Sequence, residues 1–376
     1  MLERRTVSNI PWGMVILVIG IAMFGLSSVY SATYSESGIS SLFTKQFIWI
    51  SLGIIVMFAA LVPDYHTVGR YAYVLYVLSV FFLILVALVG KTGMGAQRWL
   101  PLGPFAFQPS ELAKISLVLA LARYFAEDPR GGGYELRDLA IPGAMIAVPL
   151  LLVLKQPDLG TALMLLFTSS LIILLAGIKF RSIMVLAVAG AVLASAVFLV
   201  PPVRHKIWTS LKPYQQKRIK AFLDPSSDPL GSGYHASQAK IAVGSGQTTG
   251  KGFRKGTQGQ MAFLPERHTD FIFAVIAEER GFLGASFLIV VYVVFLFVGL
   301  ETAKGAKDRL GVLMAGGIVS MLSLYVCINI GMSVGILPVV GVPLPLISYG
   351  GTSVITTFLA IGLLLNIRSR RFMLFY

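Results

Sequence analysis

The 376-residue sequence has few of the residues on which soluble proteins, disulfide-rich proteins and zinc enzymes depend. Cys327 is its single cysteine, which excludes an internal disulfide framework and a cysteine-based metal site. It has four histidines, none of them in an H-x-x-x-H pair, so nothing indicates a catalytic zinc site. Charged residues make up only 13% of the chain, against about a quarter in soluble domains. A soluble globular protein is therefore excluded.

Long apolar runs are abundant instead, with 56% of residues in the apolar set and a mean hydropathy of +0.79. A helix of about 20 apolar residues crosses the hydrocarbon core of a bilayer. The candidate spans are residues 11–31, 46–62, 71–90, 109–126, 138–154, 160–178, 182–201, 271–300, 310–333 and 348–367. This pattern predicts an all-α polytopic membrane protein with about ten transmembrane helices. No internal repeat or second domain is visible, so residues 1–376 are expected to form one integral unit.

The orientation is predicted from the lysines and arginines of the short loops, which favour the cytoplasmic side. With a cytoplasmic N-terminus, the inner segments carry 13 positive charges: Arg4, Arg5, Arg70, Arg130, Arg137, Lys179, Arg181, Lys304, Lys307, Arg309, Arg368, Arg370 and Arg371. The short outer loops carry four: Lys45, Lys91, Arg98 and Lys155. We therefore expect both termini in the cytoplasm and an even number of spans.

The connection over residues 201–270 is the one extended polar region, and this topology places it outside the cell. It contains 11 lysines and arginines against Asp224, Asp228, Glu266 and Asp270. A solvated loop attracted to anionic lipid headgroups would have this composition. A docking surface for a phosphorylated substrate would have it too. Nucleic acid is a poor candidate partner, because the charge lies outside and no nucleic-acid motif accompanies it.

Charged residues inside the predicted spans are functional candidates, because each costs about 2.5 to 3.5 kcal/mol on insertion scales. Glu111 and Lys114 are three residues apart, which places them on one face of a helix. They form either a structural ion pair or the floor of a hydrophilic cavity. Asp158, between two spans, is either an ordinary helix N-cap or a carboxylate that orients an arginine or binds a cation.

The densest group of ionisable residues, Glu266–Asp270, lies directly before a long span. Asp270 would stand at the start of the helix, with Phe271 and Phe273 as an apolar wall that could raise its pKa toward that of a general base. An N-cap is the alternative role for Asp270. Three more charged residues, Glu278–Arg280, follow inside the span and favour a structural network.

Two irregular segments interrupt the apolar pattern. Residues 335–351 contain three prolines and four glycines, which cannot form a regular helix, yet the segment is apolar. Such a backbone is tolerated at membrane depth only when it is buried in protein or lines a cavity, so a re-entrant loop is expected. Residues 98–109 form a similar break before the fourth span.

Together these stretches resemble the signatures of the SEDS family (shape, elongation, division and sporulation) over essentially the whole chain. The motifs that carry the resemblance are residues 98–114, 155–162, 224–225, 231–238, 263–284 and 338–353. The short N-terminus and compact loops are more similar to the elongation member of the family than to its division counterpart.

The resemblance implies a peptidoglycan glycosyltransferase that polymerises lipid II into glycan strands at the outer face of the bacterial cytoplasmic membrane. It implies a class B penicillin-binding protein as transpeptidase partner, besides lipid II, the lipid-linked glycan chain and membrane lipids. Asp270 matches the essential aspartate of the family, and Glu111, Lys114 and Asp158 match its polar cavity residues.

In this chemistry the donor sugar leaves as a lipid pyrophosphate, so one base that deprotonates the acceptor hydroxyl can suffice. Basic residues would stabilise the charge that develops on the pyrophosphate. The candidates are Arg98, Lys114, Lys217, Arg218, Lys240 and Arg267, and Glu266 and His268 join them as expected substrate-binding residues. No cofactor is indicated with certainty, although a divalent cation, Mg²⁺ or Mn²⁺, could share the task.

Two other functions agree with the same features. A flippase or transporter of lipid II would also need intramembrane charges, broken helices and a basic vestibule. Such a protein should place acidic residues along a path that reaches both faces, whereas here they gather toward the outer side. A noncatalytic scaffold for cell-wall enzymes would give no reason for the deep Glu111 and Lys114 pair.

Overall fold

The structure is a computed structural model. It describes residues 9–34, 40–93, 96–102, 105–128, 130, 133–211, 213–224, 231–257 and 266–371. The remaining residues include parts of the 224–225 and 263–284 motifs, which lie outside the described residues.

Long α-helices dominate the fold, which confirms the predicted all-α class. In chain order they are α1 Trp12–Thr33, α2 Ser41–Ala59, α3 Tyr65–Arg70, α4 Ala72–Val89, α5 Pro109–Glu127, α6 Ala140–Lys155, α7 Leu159–Ala176, α8 Phe180–Leu199, α9 Pro201–Ser210, α10 Pro213–Leu223, α11 Ser232–Ser245, α12 Ile272–Lys304, α13 Arg309–Val334 and α14 Gly351–Ser369. A short 3₁₀ turn, Leu136–Leu139, precedes α6.

Eight of these helices are long and apolar enough to cross a membrane, counting only the described residues: α1, α2, α4, α6 with its 3₁₀ turn, α7, α12, α13 and α14. The other two predicted spans correspond to α5, which carries charged side chains, and α8, of which residues 180–192 are the apolar part. Each of the ten runs seen in the sequence is therefore a helix. The chain is a polytopic integral membrane protein.

Helix α5 lies at the centre of the bundle. Pro109 occupies its first turn, where a proline costs no helical hydrogen bond. Its side chains are buried on most sides, against α4, α6, α7, α13 and α14. Helices α13 and α14 are also mostly buried, whereas α2 and α4 expose large apolar side chains. The polar side chains of its first half, Ser110, Glu111, Lys114 and Ser116, are thus enclosed by protein.

A three-stranded antiparallel sheet, which the sequence did not predict, occupies the break before α5. Its strands are β1 Lys91–Gly93, β2 Ala96–Leu102 and β3 Phe105–Phe107. The prolines and glycines of this segment hide the alternation of a strand, so only a break was visible in the sequence. The sheet carries Arg98, on β2, to the N-terminal end of α7.

The 201–270 connection is more regular than the long loop that the sequence predicted, because it contains α9, α10 and α11. Ala239 and Ala242, one helical turn apart on α11, are completely buried, and α11 packs against α12 and α13. Small residues on this face allow close helix packing, so part of the polar connection belongs to the body of the protein.

Helix α12 is kinked at Gly281, whose backbone has a positive φ of 66°. A Cβ at this position would lie 2.3 Å from the backbone nitrogen of Gly250, so the close approach requires glycine. The segment that follows α11 docks here, with the Lys251 backbone N–H donating to the Glu278 carbonyl at 3.0 Å. The Lys251 ammonium also pairs with the buried Glu278 carboxylate at 2.7 Å. These contacts agree with a structural network.

Residues 335–350 form the irregular loop between α13 and α14, called the Pro/Gly loop below. Its apolar side chains from residue 340 onward are buried, namely those of Val340, Val342, Leu344, Leu346 and Ile347. Tyr292 donates to the Pro345 carbonyl at 2.6 Å, and Ser348 donates to the Thr269 carbonyl at 2.6 Å. This confirms an irregular apolar backbone that is buried within the protein.

Candidate active site

Asp270 lies where the segment before α12 meets the Pro/Gly loop. Its side chain is partly buried, and a Cβ on Gly341 of the loop would lie 3.1 Å from Asp270 Oδ2. Gly341 has a φ of 74°, a conformation that favours glycine. The loop backbone therefore lies so close to the Asp270 carboxylate that a side chain at position 341 would crowd it.

Two arginines from distant parts of the chain reach the same place. Arg218, on α10, donates to the Val340 carbonyl at 3.4 Å, one residue before Gly341. Arg98 donates to the Gln156 carbonyl at 3.5 Å and to the Pro157 carbonyl, and its Nε is 3.7 Å from Asp158 Oδ2. The structure thus brings the predicted residues Arg98, Asp158, Arg218 and Asp270 together.

Asp158 fulfils both of the roles considered for it. It caps α7, because its Oδ1 accepts from the Thr161 backbone N–H at 3.2 Å and its Oδ2 from the Thr161 hydroxyl at 2.9 Å. The same carboxylate faces Arg98. Close packing of α7 against the Pro/Gly loop holds it there, since a Cβ on Gly160 would lie 2.5 Å from the Val340 carbonyl oxygen.

The surroundings of Asp270 make its carboxyl a weaker acid than usual. Burial, followed by the negative charge of Glu266, raises the pKa of Asp270 to about 6, although the charges of Arg218 and Arg98 act in the opposite direction. A carboxylate with a raised pKa binds a proton more strongly, which suits a general base working near neutral pH.

Glu111 and Lys114 form a buried ion pair with a 2.7 Å separation of Nζ and Oε1. Tyr325, on α13, donates its hydroxyl to Glu111 Oε2 at 3.0 Å and also contacts the Lys114 ammonium. Thr356, on α14, lies 3.3 Å from the same carboxylate. The pair predicted from the i,i+3 spacing is therefore present, and it joins α5 to α13 and α14.

The other predicted residues before α12 surround Asp270 along the chain. The Glu266 carboxylate accepts from the Thr269 hydroxyl at 3.0 Å, and the His268 ring packs edge-on against Tyr349, with 5.6 Å between centroids. Burial lowers the pKa of both Arg267 and His268. Nη1 of Arg267 is buried and has no hydrogen-bond partner among the described residues.

Lys240 and Arg218 line one small cavity at the edge of the site, together with Leu337, Pro338 and Val339 of the Pro/Gly loop. Lys240 lies against Gly335, where a Cβ would overlap its side chain. The last predicted cation, Lys217, is on α10, and its side chain lies outside the described residues. The cavity therefore has positive charge on two of its walls.

Two functional candidates were missed in the sequence. Tyr325 binds the Glu111 and Lys114 pair, and Asn329, one helical turn further along α13, donates to the Asp270 carbonyl at 2.9 Å and to the Val342 carbonyl at 2.8 Å. The available signal was an asparagine within an apolar span, which is costly unless it is hydrogen-bonded.

Over the described residues, no three His, Cys, Asp or Glu side chains are arranged to hold a metal ion. The Asp158 oxygens already face Thr161 and Arg98. The positive charges of the described site belong to arginine and lysine side chains, among them Arg98, Arg218 and Lys240.

Comparison with known proteins gives the family. The family model FTSW_RODA_SPOVE, described as "Cell cycle protein", matches residues 8–372. The chain belongs to this family, the SEDS proteins. The resemblance seen in the sequence motifs is confirmed.

Individual relatives of this SEDS chain match it over nearly their whole length. The peptidoglycan glycosyltransferase MrdB of Escherichia coli K12 is 40% identical over 363 residues, covering 96% of this chain and 94% of the relative. A chain of a solved peptidoglycan synthase complex, which coordinates polymerization and crosslinking, is 33% identical with a TM-score of 0.81, covering 96% of this chain and 98% of that one. The rod shape determining protein RodA of Thermus thermophilus is 29% identical with a TM-score of 0.70, covering 97% and 98%.

Proposed function

We propose that this protein is a peptidoglycan glycosyltransferase that polymerises lipid II into glycan strands for cell elongation. The observation that carries the proposal is the position of the Asp270 carboxylate beside the Pro/Gly loop. The positive charges of Arg98 and Arg218 are close enough to act on the pKa of this carboxyl. A base next to fixed cations suits a transfer in which a hydroxyl attacks and an anion leaves. The names of the relatives MrdB and RodA support both the activity and the elongation role.

In the proposed step, the Asp270 carboxylate accepts the proton of the acceptor sugar hydroxyl. The acceptor oxygen bonds to the anomeric carbon of the donor, while the bond from that carbon to the pyrophosphate oxygen breaks. The configuration at that carbon inverts, because attack and departure take place on opposite faces. The products are a longer glycan, a lipid pyrophosphate and a protonated Asp270.

The leaving pyrophosphate gains negative charge as this bond breaks, and prearranged cations stabilise such charge. Arg218 and Lys240, on the walls of the small cavity, and Arg98, beside Asp158, are the described cations that suit this role. Glu111 and Lys114 are buried, and we propose that they support the site through their contacts with Tyr325.

Replacing Asp270 with asparagine tests the proposal. Asp270→Asn keeps the size of the side chain but removes the base, and general-base catalysis contributes about 10² to 10⁴-fold. The purified variant should fold and bind lipid II while losing polymerisation by about that factor. The measurement is the rate of glycan formation from lipid II at equal amounts of folded protein.

Asp128→Asn is the matched control, since Asp128 pairs with Arg130 beyond the opposite end of α5. It should polymerise lipid II at the wild-type rate. A near wild-type rate for Asp270→Asn would refute the assignment of the base. If the unmodified protein moved lipid II across vesicle membranes without polymerising it, the result would favour a flippase instead.

We further propose that residues 201–270 face the outside of the cytoplasmic membrane and that a class B penicillin-binding protein is the partner. The solved synthase complex that contains a similar chain supports a partner for crosslinking. Co-purification with that transpeptidase tests the partner. Addition of EDTA to the polymerisation assay tests whether a divalent cation assists.

A further inference from the structure

Asn329 connects the segment that carries Asp270 to the Pro/Gly loop. Its side chain is fully buried in α13, and Nδ2 donates one hydrogen to the Asp270 carbonyl at 2.9 Å and the other to the Val342 carbonyl at 2.8 Å. Both hydrogens of the amide are therefore used, and each goes to a different segment of the backbone. The amide holds the two segments side by side.

The orientation of this amide follows from its surroundings. Both groups that face Nδ2 are carbonyl oxygens, which only accept hydrogen bonds, so the opposite orientation would place oxygen against oxygen. Oδ1 is buried and, among the described residues, accepts no hydrogen bond. Among the described residues, the hydrogen bonds of this side chain are therefore made by its nitrogen alone.

The two carbonyls that Asn329 joins belong to the two sides of the candidate site. Val342 adjoins Gly341, whose Cβ position is 3.1 Å from Asp270 Oδ2, and Arg218 binds the Val340 carbonyl. A shift of the loop relative to Asp270 would change two things together: the distance from Gly341 to the carboxylate and the hydrogen bond of Arg218 to the loop. The hydrogen bonds of Asn329 therefore determine how close the Asp270 carboxylate lies to the part of the loop that Arg218 binds.

We infer that Asn329 is a positioning residue, whose amide sets the place of the Asp270 carboxylate against the Pro/Gly loop. This inference rests on the proposed function, because it gives Asp270 the role of the base. Asn329 itself need not touch the substrate, since it acts through the backbone on either side of the site.

The protein contains a matched control in Asn366 of α14. Asn366 is also fully buried, its Nδ2 donates to the Ala60 and Pro63 carbonyls at 2.7 and 2.6 Å, and its Oδ1 also has no partner among the described residues. These bonds lie at the other end of α14, beside the end of α2. Loss of the amide there costs the same kind of bonds without reaching Asp270.

The experiment compares Asn329→Leu with Asn366→Leu, each alone and combined with Asp270→Asn. Thermal unfolding in detergent gives the folded fraction, and polymerisation over a range of lipid II concentrations gives kcat and KM.

Both single variants should lose a similar amount of thermal stability. Per folded protein, Asn329→Leu should lower kcat by about tenfold or more with little change in KM, because misplaced catalytic groups lose rate steeply. Asn366→Leu should leave both constants unchanged.

The combined variants separate positioning from a merely structural role. If Asn329 acts through the base, Asn329→Leu should cause no further loss once Asp270 is asparagine, a non-additivity expected of residues that act as a unit. The variants that carry Asp270→Asn are expected to be slow, so they are assayed with enzyme in excess over lipid II. Asn329→Asp, which keeps the shape but cannot donate two hydrogens, should lower kcat as well and serves if the leucine variant does not fold.

Two results would overturn the inference. The first is a kcat for the folded Asn329 variants equal to that of Asn366→Leu. The second is the same fractional loss from Asn329→Leu in the wild-type and Asp270→Asn backgrounds. If the unmodified protein did not polymerise lipid II, the proposed function would fail and this inference with it. If Asp270→Asn polymerised normally, the assignment of the base would fail and the inference with it, whereas a defective Asp270→Asn with fully active Asn329 variants would overturn the inference alone.

Discussion

At the residue scale, the raised pKa of Asp270 predicts how activity depends on pH. A base must be deprotonated to act, and burial raises the pKa of this carboxyl to about 6, so activity should be full above that pH and fall as the pH drops through it. The pH profile of kcat/KM should therefore show an acidic limb near pH 6.

His268 is the neighbouring group that could imitate this limb, although burial lowers its pKa from the ordinary value. His268→Gln removes its titration and provides the control. The acidic limb should persist in this variant. A limb that disappears with His268, or that lies near the ordinary aspartate value of about 4, would contradict the role of Asp270.

Glu111 and Lys114 give a second prediction at this scale, which concerns stability. Glu111→Ala leaves the Lys114 ammonium buried without its carboxylate, and removing one partner of a buried pair costs about 3 to 5 kcal/mol. Replacing both partners together, with Glu111→Leu and Lys114→Met, should restore most of the melting temperature because no charge is left unpaired.

Thermal unfolding of the purified variants checks this prediction. The matched control is Glu127→Ala, which removes the carboxylate of a more exposed pair with Arg123 further along α5 and should change the melting temperature little. Equal melting temperatures for Glu111→Ala and the wild type would show that the pair contributes nothing. Polymerisation by the stable double variant then reports whether the pair supports the site beyond folding.

At the scale of an element, the Pro/Gly loop depends on Gly341. Gly341→Ala strains a backbone with a φ of 74° and places a Cβ 3.1 Å from the Asp270 carboxylate. Gly177→Ala has similar backbone strain at a φ of 98°, but no atom lies within 4 Å of its Cβ. Both variants should lose about 1 to 2 kcal/mol of stability, and only Gly341→Ala should also lose polymerisation per folded protein.

Unfolding and polymerisation assays on the two glycine variants check this difference. Equal activity per folded molecule would show that the loop can move away from Asp270 without cost. The comparison isolates the contact with the carboxylate, because the backbone strain is common to both substitutions.

Elements differ in how far the sequence could predict them. Each span is encoded by its own apolar run, and the Glu111 and Lys114 pair follows from helical spacing, so local information suffices. The contact of Asn329 with Asp270 spans 59 residues and depends on how α13 packs beside the start of α12, which no local pattern records. The strands around Arg98 escaped prediction because prolines and glycines interrupt their alternation.

At the scale of the whole molecule, the distribution of positive charge predicts the topology. In a Cys327→Ser background, a cysteine at Thr209, an exposed position on α9, should react with an impermeant maleimide in intact spheroplasts. A cysteine at Lys304, at the far end of α12, should react only after permeabilisation. The reverse pattern would place the candidate site on the cytoplasmic side and refute an extracytoplasmic polymerase.

Helix α5 is poorly suited to enter a bilayer alone, because it carries Glu111 and Lys114, and charged side chains cost free energy during insertion, up to about 2.5 to 3.5 kcal/mol each at the centre of a span. Its sheltering partners are synthesised much later, since Tyr325 and Thr356 follow Glu111 by 214 and 245 residues. A ribosome that has just completed α5 has not yet made the hydroxyls that bind its carboxylate. Release of α5 from the insertion machinery into lipid should therefore wait for α13 and α14, and the helix at the centre of the finished bundle should be among the last to settle.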